Sequence, residues 1–214
     1  MAQVYFITTN ALQTAGAFDA LCETLSPARR EKIARARWEA DKRRLLCAGL
    51  LLDRALRPYG LRERDAGIIL GAHGKPYLAG RNDLFFNLSH SGKIVLCAVS
   101  DQEIGADVQI LRSAGEALMR RVCPEEEYAA LAALPEQERQ ALFFRLWTAK
   151  ESYLKWRGTG LLGNPGTLTL LRSGMIVPPE DHLFFRAYAL PGYAVCICSR
   201  DPVFPPEPTF VTIP

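Results

Sequence analysis

Short apolar runs with strand character give way to longer stretches of helical period and then return, twice along the chain. Residues 4–8 read as a first strand, and Ser26-Pro27 then sets a capping serine before a proline in the first helical position. The pattern stays helical, as one helix or two, to about residue 56, where Arg57-Pro58-Tyr59-Gly60 stops it. A short strand is expected over 68–70, a turn at His73-Gly74-Lys75-Pro76, and strands over 84–88, 94–99 and 104–110. Helices near 114–121 and 124–133 then lead into a long one over 137–157, for which Gly158 is a fitting C-cap. Strands follow over 167–171, 183–189 and 194–199, and the proline-rich stretch 201–214 reads as an extended strap over the surface. This order predicts an α+β fold made of two similar lobes in series, residues 1–105 and 106–214, although no repeat shows in the letters themselves.

Composition narrows the class. At 214 residues the chain can bury a core of its own. A net charge of +3 is too small to announce a nucleic-acid binder. Its distribution matters more, because Arg29, Arg30, Lys32, Arg35, Arg37, Lys42, Arg43 and Arg44 crowd one segment. The six cysteines show neither CxxC nor metal-finger spacing, and Cys97, Cys196 and Cys198 lie in apolar runs where cysteine acts as a small hydrophobe. No secretory segment is recognised, and no apolar run approaches the ~20 residues needed to span a bilayer. A reduced, soluble, cytoplasmic protein is expected.

Three clusters could carry chemistry. In IGADVQI (104–110), a period of two puts Ile104, Ala106, Val108 and Ile110 on one face and Gly105, Asp107 and Gln109 on the other. A carboxylate in so apolar a strand is explained by a bound hard cation, or by an exposed face at a sheet edge. In LWTAKESYLK (146–155), Glu151 follows Trp147 by one helical turn and precedes Lys155 by another. An exposed Glu–Lys pair is worth only ~0.3–0.5 kcal/mol, so a solvated ion pair competes evenly with a site that joins Glu151 to Asp107 around a metal. In GKP (74–76) and NLSHSG (87–92), small, hydroxyl and imidazole residues suit a phosphate or ribose contact. No G-x-S-x-G elbow surrounds Ser89 and Ser91, which removes a hydrolase reading. The basic segment around Arg29, Lys32 and Arg44 reads as a solvated helix face unless the ligand carries several phosphates.

Together GKP, FNLSHSG (86–92), IGADVQ (104–109) and LWTAKESYLK, with SPARREK (26–32) and Arg44, resemble the 4′-phosphopantetheinyl transferases of the Sfp type. The resemblance covers most of the chain, from Ser26 to about residue 160. It implies a pseudo-twofold α+β fold with coenzyme A and Mg²⁺ in a cleft between two lobes. It also implies an activity, the transfer of phosphopantetheine from coenzyme A to a serine of an apo acyl or peptidyl carrier protein, releasing 3′,5′-ADP. Asp107 and Glu151 would be metal ligands, and Lys155 would hold the pyrophosphate. His90 would contact a phosphate, while Gly74, Lys75, Pro76 and Ser89 would lie along the adenosine. Arg29, Lys32 and Arg44 would grip the 3′-phosphate. Gln109 stands where many relatives carry a third acid, and its amide oxygen could coordinate in place of a carboxylate, with weaker Mg²⁺ binding.

Glu151 is the expected base for the carrier serine, because an unperturbed lysine such as Lys150 is protonated at neutral pH. Leu111, Arg112, Leu118, Met119, Arg120 and Arg121 offer apolar and basic groups for docking a carrier helix, or pack into their own core. A monomer without nucleic-acid or membrane partners is expected, since one chain holds both halves of the cleft. A non-catalytic coenzyme A binder would keep the basic grip but not the pair Asp107 and Glu151.

Overall fold

The computed structural model describes residues 1–12, 17–160 and 163–213. Strand β5 (Ile94–Ser100) is buried at every residue, and its sequence IVLCAVS lacks the alternation of a one-sided strand because both its faces are covered. It pairs antiparallel with β1 (Gln3–Thr8) and with β4 (Phe85–Ser91), and β11 (Thr209–Phe210) adds parallel to β1, giving the order β11-β1-β5-β4. A second, antiparallel sheet holds β6 (Ile104–Ile110), β10 (Tyr193–Ser199) and β9 (Phe184–Leu190) in the order β6-β10-β9.

The layers follow from which residues are apolar. Helix α3 (Glu39–Leu56) lays Leu51, Leu52 and Leu56 on the Ile7, Val95, Cys97 and Val99 face of the first sheet. The opposite face, with Val4, Leu96 and Ala98, meets Ala106, Val108, Val195 and Ile197 of the second sheet. Helix α6 (Glu136–Arg157) covers the far side of that second sheet, placing Phe143 and Ala149 in one core with Ala194 and Cys196. Helix, sheet, sheet, helix is thus the order of layers, and the fold is α+β.

Most of the expected elements form. The helical stretch after Ser26 is two helices, α2 (Pro27–Arg35) and α3, and the Ser26 side chain accepts from Arg29 N–H as a cap. Gly158 ends α6 with φ 68°. Helices α4 (Glu116–Val122) and α5 (Glu125–Ala132) precede α6. The turn at 73–76 is the tip of a small hairpin between β2 (Ile68–Leu70) and β3 (Pro76–Leu78). Two readings are corrected. Helix α1 (Ala17–Cys22) was not anticipated; it is six residues long and buries none of them, so it leaves no periodic signal. The strand expected over 167–171 shrinks to β7 (Leu171–Arg172), paired with β8 (Met175–Ile176). The reason is that Glu127 Oε1 takes the N–H groups of Leu170 and Leu171, at 2.6 and 2.9 Å, in place of a strand partner. The extended strap runs on past β10 and ends on the first sheet as β11. No helix among the described residues is long and apolar enough to cross a membrane.

Candidate active site

Strands β4 and β6 are the facing edges of the two sheets, yet no backbone ladder joins them. Side chains of β4 close the gap instead. Asn87 Oδ1 accepts from Ala106 N–H at 3.1 Å, Ser89 Oγ from Val108 N–H at 3.3 Å, and Ser91 Oγ from Ile110 N–H at 3.0 Å. Buried backbone donors must find acceptors, and a polar residue at every second position of NLSHS supplies them. The intervening residues Phe86, Leu88 and His90 face the other way, into a groove. Strand β4 therefore has the groove on one face and the packed seam to β6 on the other.

On the seam side lies the acid cluster. Helix α6 crosses β6 in direct backbone contact, since a methyl group built on Gly105 would fall 1.9 Å from the Ser152 carbonyl oxygen. Only glycine allows that approach. The crossing brings the Glu151 turn over Asp107. Asp107 is only 2% exposed. Its Oδ1 accepts from Lys155 Nζ at 2.6 Å and from Ser89 Oγ at 2.8 Å, and its Oδ2 accepts from Gln109 Nε2 at 3.2 Å. Lys155 Nζ also donates to Ser89 Oγ at 2.9 Å and to the Ala106 carbonyl at 3.1 Å. Burial, and then the negative charge of Asp107, raise the pKa of Glu151, while Lys155 and Trp147 partly oppose them. The two acids therefore feel each other, and neither is the solvated surface residue that the sequence left open. Lys155 pairs with Asp107 and not with Glu151.

On the groove side, a cavity of about 770 Å³ is lined by Arg29 and Lys32 of α2, by Gly74 and Pro76 at the hairpin, and by His90. Leu45, Ala48, Ile68 and Phe86 give it apolar walls. The surrounding protein, then the charges of Arg44 and Lys155, push the His90 pKa below its ordinary value.

Three expected groove residues sit elsewhere. Lys75 is buried, and its ammonium is turned away to Glu103, the Ile104 carbonyl at 3.2 Å and the Trp156 carbonyl at 3.0 Å. A cation there satisfies the carbonyl end of α6. Ser89 belongs to the acid cluster, as above. Arg44 binds the Gly92 carbonyl at 3.1 Å and Asp41 at 2.5 Å, bracing the β4–β5 hairpin beside His90. The Gln109 amide nitrogen, not its oxygen, faces Asp107. Lys150 is fully buried against Glu127 and the Val122 and Pro165 carbonyls, so it braces α6 on the side away from the acids. Of the residues considered for docking, Met119 is buried in the core and Leu118 packs against it, while Leu111 is exposed.

Two family models together cover residues 13–195, most of the chain. One, described as the 4′-phosphopantetheinyl transferase superfamily, matches residues 103–195. The other, the N-terminal part of 4′-phosphopantetheinyl transferases, matches residues 13–102. The 4′-phosphopantetheinyl transferase Sfp of Bacillus subtilis (strain 168) is 32% identical over 196 residues, 88% of each chain. The chain belongs to the 4′-phosphopantetheinyl transferase superfamily. A second Bacillus subtilis 4′-phosphopantetheinyl transferase is 31% identical over 212 residues, 94% of each chain. The transferase HetI of Nostoc sp. (strain PCC 7120 / SAG 25.82 / UTEX 2576) is 44% identical over 96 residues, 42% of this chain and 40% of its own.

Within this transferase, sequence reasoning missed Glu63 and Arg64, which line the groove, and Glu127, which neutralises Lys150. Glu63 and Arg64 stand in a charged loop between α3 and β2, where nothing in the pattern of letters separates a groove residue from a solvated one. An apolar helix carrying Lys150 could have signalled a buried acid elsewhere, because an unpaired lysine is costly there.

Proposed function

We propose that this transferase moves the 4′-phosphopantetheine arm of coenzyme A to a serine of an apo acyl or peptidyl carrier protein, with Mg²⁺, releasing 3′,5′-ADP. The observation that supports the reading is that β4 carries a cation-lined groove of nucleotide size on one face and, on the other, a seam that holds Asp107 beside the Glu151–Lys155 turn of α6. Coenzyme A would lie with its adenosine between the groove's apolar walls and its 3′-phosphate near Arg29 and Lys32. His90 stands where the pyrophosphate would leave the groove.

The donor set fits Mg²⁺. Asp107 and Glu151 are all-oxygen donors, and burial together with the charge of Asp107 disfavours an ionised Glu151, a cost that a further cation would offset. No third His, Cys, Asp or Glu joins them among the described residues, which suits an ion that takes one or two carboxylates together with phosphate oxygens and water. Gln109 would add an amide oxygen once its amide turns over. When bound, the metal neutralises charge on the phosphate oxygens.

The chain's own groups do the rest. Glu151 accepts the serine proton as the serine oxygen bonds to the β-phosphorus. The bond from that phosphorus to the oxygen bridging it to the α-phosphate breaks, and the electron pair leaves with 3′,5′-ADP. Lys155 moves its hydrogen bonds from Asp107 to the pyrophosphate and meets the charge that develops there. Residues 1–105 and 106–214 act as the two lobes of this cleft, in a cytoplasmic monomer whose six cysteines are all free. The exposed Leu111 and Arg112 beside the seam are offered to the carrier.

Mass spectrometry of an apo carrier protein incubated with this protein, coenzyme A and Mg²⁺ tests the reading, by a gain of one phosphopantetheine. Asp107→Ala and Glu151→Gln are each expected to slow transfer by about 100-fold or more. Near-normal turnover in either removes the metal-and-base assignment.

A further inference from the structure

Glu63 has no role in the chemistry described so far, yet its carboxylate is fully inaccessible at the foot of the groove. A buried carboxylate needs partners, and this one has an ordered set. Ser26 N–H donates to Oε2 at 2.8 Å, while the Ser26 hydroxyl and Arg29 Nε donate to Oε1 at 3.0 and 3.2 Å. Glu63 is itself held from behind. Its N–H donates at 3.2 Å to Asp53, a buried residue of α3 that also receives Arg57 and Arg62.

The consequence falls on Arg29. Glu63 takes the Nε–H at the back of the guanidinium, and no described residue takes the N–H groups of Nη1 or Nη2. The Arg29 side chain is only 11% exposed, so its stem is held and its fork is aimed. That fork is the geometry which matches two oxygens of a phosphate. An arginine already fixed in this way loses less freedom on binding than one that must be ordered by the ligand.

We propose that Glu63 is a positioning residue that presents the terminal nitrogens of Arg29 to a ligand phosphate, and so sets the selectivity for a nucleotide carrying a 3′-phosphate. The proposal rests on the coenzyme A reading above and adds to it the residue on which that selectivity depends. It also accounts for an acid in a groove otherwise lined by Arg29, Lys32 and Arg64. The negative charge is spent on buried donors and is not offered to the ligand.

Calorimetric titration with 3′,5′-ADP and with 5′-AMP, which lacks only the 3′-phosphate, tests it, free of any need for turnover. The unsubstituted protein prefers 3′,5′-ADP. Glu63→Ala is expected to weaken 3′,5′-ADP by about tenfold, the scale of one hydrogen-bonded charge contact, and 5′-AMP by no more than about twofold. Arg29→Ala behaves alike, and the double variant is no weaker than Arg29→Ala, because Glu63 acts through Arg29. Glu63→Gln keeps an acceptor for Nε and recovers most of the affinity. In a transfer assay Glu63→Ala raises KM for coenzyme A and leaves kcat nearly unchanged. Should Glu63→Ala fail to fold, Glu63→Asp, which withdraws the carboxylate by one methylene, carries the same expectation.

Equal losses for both nucleotides, additive losses with Arg29→Ala, or wild-type selectivity in Glu63→Ala each overturn the role of Glu63. A wild-type protein that binds neither nucleotide, or does not distinguish them, overturns the coenzyme A reading along with it.

Discussion

His90 shows what a groove does to a single side chain. Its imidazole faces the cavity, and the surrounding protein together with Arg44 and Lys155 makes the charged form unfavourable. The folded-state pKa is depressed, so the unfolded chain binds the proton more readily. Stability from this residue is therefore present above the ordinary histidine pKa, about 6.5, and is lost as pH falls below it. A phosphate beside the ring reverses the balance, because an anion favours imidazolium. An NMR titration should find His90 titrating below the ordinary value in the free protein and higher with 3′,5′-ADP bound. Binding near pH 6 should then take up a proton, read as a dependence of the calorimetric heat on buffer. No shift on adding the nucleotide would detach His90 from the phosphates. His90, Arg29, Lys32, Asp107, Glu151 and Lys155 stood out in the sequence through the motifs that resemble the transferase family, since charge and spacing alone left each of them a surface or structural reading as well. Lys75 and Ser89 were legible as special but not as to place. A lysine that caps α6 and a serine that bridges two strands are made by contacts 81 and 19 residues away, which no local pattern encodes.

The site depends at the next scale on how one helix crosses one strand. Element existence was readable for α6 and β6, since a long apolar helix and a period-two strand are strong signals. The crossing was not, although Gly105 marks its position. A methyl at Gly105 would fall 1.9 Å from the Ser152 carbonyl and 2.5 Å from the Trp156 nitrogen, both backbone atoms that cannot swing aside. Gly105→Ala should therefore force α6 away from β6 and cost at least about 1–3 kcal/mol. The displacement lies between Asp107 and the 151–155 turn, so transfer should fall by more than the loss of folded protein accounts for. Gly115→Ala is the control, as its added methyl meets nothing within 4 Å. Thermal melts and turnover measured on both variants separate the two effects. Equal melting temperatures for the pair would mean that β6 and α6 yield more easily than close packing allows. The same helix explains why its polar residues point in two directions. Lys150 satisfies Glu127 and the Pro165 carbonyl on one side, and on the other Lys155 reaches Asp107, whose charge Glu151 feels.

Two sheets that meet through side chains instead of a ladder need something else to hold them in register. The face-to-face core supplies most of it, through Leu96 and Ala98 against Ala106, Val108 and Ile197. The strap supplies a second tie. After β10 the chain leaves the second sheet, and β11 pairs with Tyr5 and Phe6 at the outer edge of the first. There the Phe210 ring lies 5.1 Å from Phe6, Val211 N–H donates to the Phe6 carbonyl at 2.8 Å, and Val211 and Ile213 pack on the α3 core. Removal of residues 208–214 exposes the free edge of β1 and takes away Val211 and Ile213, uncovering the apolar surface they pack on, an apolar loss of about 2–3 kcal/mol. The truncated protein should melt lower, and β1 amides should exchange faster in hydrogen-exchange measurements while α6 amides keep most of their protection. This pattern is specific: a loss confined to β1 means that the strap guards an edge, whereas a parallel loss in α6 means that it clamps the whole sandwich. Because β1 reaches β4 only through the fully buried β5, the first outcome is expected, with the seam and its acids left in place.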